Sequence, residues 1–299
     1  MNNAAASERK SGFLVLLAVY FFACVLGVLI FQLLSGNAFY LRLFTADLAA
    51  TLFVWMMGTM LDNASVYDPY WSVAPVVMLI LGIFQLRAVN AGAVLMTAVV
   101  MIWGVRLTAH WSTTFQGLKH QDWRYTQLQE RYPKLWFVIN LFGIHLFPTV
   151  VVFSVLVPAF EFITGYTSFS PGMIPGLLVS LFAVFLQYMA DNQMRAFRRR
   201  PENAGRVNRS GLWKHSRHPN YLGEILMWWG VFLTMLSARP SQWLLAAGPL
   251  LNTLMFLFIS IPLMEKRQLQ RRPEYADYMN QTGRLVPKLS GGFFKTTSL

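Results

Sequence analysis

The densest run of hydrogen-bonding side chains is Gly211-Leu-Trp-Lys-His-Ser-Arg-His-Pro-Asn-Tyr-Leu-Gly-Glu224, followed by Trp228 and Trp229. Pro219 disfavours helical geometry at His218 and suits the first turn of a new helix. Ser216–His218 are therefore expected to form a turn, and Asn220, Tyr221 and Glu224 to open the helix after it. Asn220, Glu224 and Trp228 recur at intervals of four and share one face. An aromatic surface for stacking, an amide and a carboxylate for ribose or nicotinamide groups, and arginines such as Arg217 for phosphates suit a nucleotide-bearing cofactor. His218 and Tyr221 belong to the same candidate site. A membrane-interface anchor also collects Tyr, Trp and Arg, but it has no need of an in-register glutamate.

Upstream, Asp191, Arg195 and Arg198 recur at helical spacing, and Arg199, Arg200 and Arg206 follow. Cytosolic arginines fix topology and attract anionic lipid without any ligand, whereas Arg195, Arg198 and Arg206 near a nucleotide would meet its phosphates. Asp191 has two open readings, a local ion pair with Arg195 or a partner for a cofactor hydroxyl. In the amino-terminal half, Asp68 with Tyr67 and Tyr70 beside it is the local candidate for acid chemistry, because a carboxylate close to an apolar span marks a functional site by default. A solvated loop aspartate is the alternative. His215 and His218 lack a well-spaced third ligand, so no metal site is expected. Cys24 is the sole cysteine, which rules out an intramolecular disulfide.

The elements that must position these residues are membrane helices. Of the 299 residues, 55% are hydrophobic and 13% charged, outside the usual soluble range. Apolar runs long enough for a hydrocarbon core of about 30 Å lie near Gly12–Leu34, Ala46–Leu61, Trp71–Leu86, Ala91–Val105, Leu135–Phe160, Met173–Ala190, Tyr221–Leu236 and Trp243–Met264. The expected fold is an all-α polytopic transmembrane bundle of about eight spans. With the amino terminus inside, the outer loops keep only Arg42, Arg87 and Arg239 of the 25 lysines and arginines. That asymmetry sets topology, with both termini cytosolic, and explains the +12 charge without nucleic acid. A single domain is expected over residues 1–299, with residues 191–299 as its cofactor-binding part. Three polar segments, Arg106–Lys134, Asp191–Asn220 and Glu265 to the end, are assigned to the cytosolic side, where they would converge on one pocket.

Arg206-x-x-x-x-Gly211-Leu-Trp213, Ser216-Arg-His-Pro-Asn-Tyr-Leu-Gly-Glu224, and Tyr275-x-x-Tyr278 before Leu285-Val-Pro287 resemble the carboxy-terminal part of steroid 5α-reductase-related membrane proteins. Asp68-Pro-Tyr-Trp71 and Asp122-Trp-Arg-Tyr125 are similar to their bacterial branch of unassigned function, the DUF1295-like proteins. The resemblance implies a helical bundle, in a bacterial inner membrane, that takes NADPH from the cytosol and reduces a carbon–carbon double bond conjugated to a carbonyl. It assigns Asp191, Arg198, Arg206, Asn220, Glu224 and Trp228 to cofactor contact and Tyr221 to an aromatic position between them. Gln187 stands where those proteins usually carry an asparagine. Their glutamate and tyrosine acid partners have no counterpart that aligns here. The substrate implied is a lipid or sterol-like enone.

Isoprenylcysteine and phospholipid methyltransferases also carry Arg-His-Pro-x-Tyr before a glycine and use S-adenosylmethionine. They typically bring two adjacent glutamates near the last span, where this chain has Glu265-Lys266. A non-enzymatic lipid-binding protein is the third reading, and Glu224 inside an apolar stretch speaks against it.

Overall fold

The computed structural model describes residues 3–165 and 168–288. Among the described residues the regular elements are helices, joined by one isolated parallel bridge between Ser216 and Gly283. Eight stretches are long and apolar enough to cross a bilayer: α1 (Ala6–Leu33), α2 (Phe39–Met60), α3 (Ala64–Leu86), α4 (Ala91–Thr114), α5 (Pro133–Thr164), α6 (Pro171–Arg198), α7 (Pro219–Ala238) and α8 (Pro240–Arg271). Most run past the apolar windows, because a helix continues beyond the hydrocarbon core wherever its polar residues can reach water or protein. As a result Asp191, Arg195 and Arg198 stand on α6 itself, in the first two or so turns after the apolar run.

The chain divides into two compact units, residues 1–169 and 170–299. In the first, α1 packs on α2, and α3 on both α4 and α5. Leu16, Val19 and Ala23 of α1 meet Ala50 and Val54 of α2 and Val66, Tyr67 and Tyr70 of α3 in one apolar cluster. Helix α5 widens to a π-helix over Ile139–Leu146, just ahead of Pro148, and α8 of the second unit does the same over Phe256–Ser260, ahead of Pro262. Proline brings no N–H to the ladder and crowds the carbonyl of the preceding turn, so a local change of register there has a ready cause.

In the second unit, α6 and α7 approach at small residues. Lipid provides no hydrophobic drive between helices, so close backbone packing has to supply the attraction. A Cβ at Gly230 would lie 2.8 Å from the Gly176 carbonyl oxygen, and one at Gly223 would lie 2.8 Å from that of Ala183. Only glycine permits this crossing, and the crossing brings Gln187 of α6 beside Glu224 of α7. The α7 helix starts where its sequence requires: His218 has φ −139° and ψ 60°, and Pro219 occupies the first turn. Residues 289–299 of the carboxy-terminal part lie outside the described residues.

Candidate functional site

The second unit holds two buried polar groupings. In the first, Glu224 is 5% exposed; its Oε2 accepts from Gln187 Nε2 at 3.0 Å and its Oε1 from Trp228 Nε1 at 3.1 Å. The four-residue spacing of Glu224 and Trp228 puts indole and carboxylate one turn apart, and the glycine-lined crossing delivers the glutamine. One turn further out, Asn220 Nδ2 points to Asp191 Oδ1 at 3.5 Å. Asp191, Gln187, Asn220, Glu224 and Trp228 thus line the facing sides of α6 and α7. Arg195 is half-buried beyond them, and Arg198 and Arg206 are exposed.

The second grouping centres on Glu265 of α8. Arg217 Nε donates to Glu265 Oε1 at 2.7 Å, and Arg217 Nη1 donates to the carbonyl oxygens of Met279 at 2.9 Å and Thr282 at 2.6 Å. His218 Nε2 lies 3.1 Å from the same carboxylate oxygen. A carboxylate only accepts, so that nitrogen carries the hydrogen. Burial holds the His218 imidazole below its ordinary pKa, against the opposing effect of Glu265, and the ring stacks on Tyr221 at 5.3 Å and 7°. The Tyr278 hydroxyl donates to the carbonyl oxygens of Trp213 and Ser216, and Arg217 N donates to Gly283 O at 2.9 Å. Two of the polar segments, 191–220 and 265–288, therefore interlock. The structure commits Arg217 and His218 to bracing them, with bonds directed into the protein.

In the first unit, the three acid candidates part company. Asp68 accepts from the Tyr125 hydroxyl at 2.8 Å. Burial, and then the facing Asp68 carboxylate, pushes the Tyr125 phenol well above its ordinary range. Asp122 N donates to Ser65 Oγ at 2.7 Å, and Ala64 N to Gln121 Oε1 at 2.8 Å. The Asp68-Pro-Tyr-Trp and Asp122-Trp-Arg-Tyr motifs are thus bound to each other as a latch. Tyr67 instead bonds Thr149 at 2.7 Å. Of the three, Tyr70 lines a chamber of about 320 Å³ walled mainly by apolar residues of α1, α2 and α3.

Asp47 lines that chamber too, 5% exposed, and accepts from the Tyr70 hydroxyl at 2.8 Å. Hydropathy along the sequence does not single it out. The apolar window of the second span opens only at Ala46, which put Asp47 at a span edge. The helix begins at Phe39, and eight residues at about 1.5 Å each carry Asp47 about 12 Å into it. A carboxylate inside a span was the available signal.

Could the second unit hold a dinucleotide? Its donors and acceptors fit one. Asn208, 4% exposed, keeps its Nδ2 donor without a partner two residues after Arg206, a donor set suited to phosphate or ribose oxygens. Among the described residues no group of three His, Cys, Asp or Glu side chains converges as a metal site.

Fold and polar groupings together define an integral membrane protein of eight candidate spans, with acidic side chains buried in both units. The chain belongs to the family described as protein of unknown function (DUF1295), which matches residues 54–282. It is similar to an uncharacterized protein, C594.04c, of Schizosaccharomyces pombe, at 23% identity over 271 residues, covering 80% of this chain and 76% of that protein. No solved structure matches.

Proposed function

We propose that the protein is an NADPH-dependent reductase of a carbon–carbon double bond conjugated to a carbonyl in a lipid or sterol-like molecule, with its cofactor site facing the cytosol. The observation that carries this reading is the Asp47–Tyr70 pair on the wall of a mainly apolar chamber. A volume of about 320 Å³ falls in the range of about 300–1,000 Å³ usual for small-molecule sites, and apolar walls select a hydrophobic ligand. A phenol hydrogen-bonded to a carboxyl is the chemistry that polarises a carbonyl oxygen and gives it a proton.

Bound NADPH supplies hydride for the β-carbon. In the second unit, Asp191, Asn220 and Glu224 would hold the sugar or nicotinamide end, Trp228 and Tyr221 would offer aromatic surface, and Arg195, Arg198 and Arg206 would meet the phosphates. Arg217 and His218 act through Glu265 as positioning residues, keeping the 216–218 turn in place at the head of α7. The excess of basic residues in the segments assigned to one side supports cytosolic placement of both termini.

The test is thermal stabilisation of purified protein. A ligand that binds only the folded state at 100 times its Kd adds about 2.7 kcal/mol, so NADPH should raise the unfolding temperature clearly. Stabilisation by S-adenosylmethionine with none by NADPH would replace the reductase by a methyltransferase.

A further inference from the structure

Past the end of α6 the chain makes a loop that bonds hold on two sides. Asn203 Nδ2 donates to Phe197 O at 2.9 Å, and Arg206 N donates to Asn203 O at 3.0 Å, which folds the loop back on the helix end beside Arg198. On the other side Val207 N donates to Glu274 Oε1 at 2.8 Å, and Arg209 Nη2 to Glu274 O at 3.0 Å. Arg272 lies two residues before Glu274, and its carbonyl oxygen accepts from Tyr275 N at 2.9 Å. These bonds gather Arg198, Arg206 and Arg272 around one loop of the second unit.

Arg272 is half-buried just past α8, and its Nη1 donates to Gln268 Oε1, a neutral acceptor, at 2.7 Å. It acts on Arg198 as a like charge, more strongly than Asp191 acts as an opposite one. The stretch 198–209 carries Arg198, Arg199, Arg200, Arg206 and Arg209 against Glu202 alone. Asn208 Oδ1 accepts from Ser210 N at 3.1 Å and from Ser210 Oγ at 2.9 Å. The amide is thereby oriented, and its Nδ2, on a residue 4% exposed, is a donor for which the protein offers no acceptor. Membrane topology calls for basic residues on one side, but not for three of them bound to one loop. Like charges held together beside an unmatched donor suit a small dianion.

We infer that Arg272, with Arg198 and Arg206, takes the 2′-phosphate on the adenosine of the dinucleotide and so selects NADPH over NADH. The inference rests on the cofactor half of the proposed function. Gln187 bonds Glu224 where the nicotinamide or sugar end would lie, and Arg198 follows it on α6 by eleven residues, about 16 Å along the axis. The two residues thus mark opposite ends of an extended dinucleotide, with Arg195 between them for the pyrophosphate. Charge points the same way. A phosphomonoester carries about −1.5 to −2 at neutral pH, more than either phosphate of the pyrophosphate bridge, and it calls for several cations at one place. The bond to Gln268 holds Arg272 ready for it, so less side-chain freedom is lost on binding.

The experiment reads binding, with the full chain in nanodiscs of phosphatidylcholine and in nanodiscs that also contain phosphatidylglycerol. Wild type, Arg272→Gln and the neighbouring control Arg271→Gln are titrated with NADPH, NADH, adenosine 2′-monophosphate and adenosine 5′-monophosphate. Wild type should prefer NADPH to NADH and the 2′-monophosphate to the 5′. Arg272→Gln should weaken NADPH and the 2′-monophosphate about tenfold and leave NADH unchanged, while Arg271→Gln keeps the wild-type preference. The ratio of NADPH to NADH affinity is taken within each variant, so a loss of stability does not imitate the effect. If Arg272→Gln does not fold, Arg206→Gln reads the same ratio from the exposed loop. Equal weakening of both dinucleotides, a wild type without preference, or a control that loses the preference overturns the 2′-phosphate site and leaves the dinucleotide reading standing. So does an effect seen only with phosphatidylglycerol, which would give the arginine to a lipid headgroup. A wild type that binds neither dinucleotide overturns the cofactor reading, and the site with it.

Discussion

The Tyr70 hydroxyl donates to Asp47 Oδ1 at 2.8 Å, and both side chains face the same apolar chamber. A carboxyl and a phenol within the spans of α2 and α3 are expensive to keep there unless they are used. Asp47 sits on α2 and Tyr70 on α3, so the pairing depends on how these helices pack. No spacing along the chain reveals it.

Glu224 supports a prediction about stability. Both its carboxylate oxygens accept, one from Gln187 and one from Trp228. Glu224→Gln puts an NH2 group against one of those donors and leaves a buried donor unsatisfied, a cost of about 1–3 kcal/mol. Denaturant unfolding of the purified variant should show a loss of that order, and Gln187→Glu added to Glu224→Gln should recover part of it by exchanging donor and acceptor.

Arg198 and Arg206 should behave differently from Glu224. Both are exposed, so they contribute charge to a ligand more than they contribute to the fold. Alanine at either position should weaken NADPH binding by about tenfold, with unchanged unfolding temperature and a shallower dependence on salt. Calorimetry at two ionic strengths checks this.

The Arg217–His218–Glu265 brace predicts a pH dependence. Burial lowers the His218 pKa below its ordinary 6.5, so the unfolded chain takes up a proton that the folded chain resists. The stability from neutral His218 is complete above about pH 6.5 and is lost as pH falls through the lower folded value. Unfolding temperatures should therefore drop between about pH 7 and about pH 5. His218→Gln should be less stable at neutral pH, with a flatter acid side.

Cys24 provides a reporter for the chamber. It is exposed, it lines the cavity, and it is the sole cysteine of the chain. Alkylation by a membrane-permeant maleimide should slow several-fold when an enone sterol occupies the chamber, and a saturated hydrocarbon of equal length should protect less because it offers Tyr70 no oxygen. Labelling indifferent to every lipid would remove the chamber as a substrate site.

The membrane class and the eight spans were legible because a bilayer demands long apolar runs, and each run in the sequence falls within one of α1 to α8 or overlaps it by all but a residue or so. The α7 start was legible from Pro219. The second unit's pairing of Asp191 with Asn220, at 3.5 Å, was also within reach, since both residues stand in polar segments assigned to one side. The partners of Asp68 and Arg217 were not. Tyr125 and Glu265 lie 57 and 48 residues away, and only tertiary packing selects them. Asp47 was missed for a local reason, because apolar windows begin where hydropathy rises and a helix begins where its backbone bonds do.

The most direct test of the account follows deuterium. NADPH deuterated at the transferable position should be incubated with wild type, Asp47→Asn and Tyr70→Phe in the presence of an enone sterol, and the product examined by mass spectrometry. The account predicts one deuterium at the β-carbon of a saturated ketone with wild type, about 10²-fold or slower turnover with either variant, and unchanged NADPH affinity in both. A wild type that forms no deuterated product, or variants that form it at the wild-type rate, would contradict the assignment of Asp47 and Tyr70 as the acid pair of a reductase.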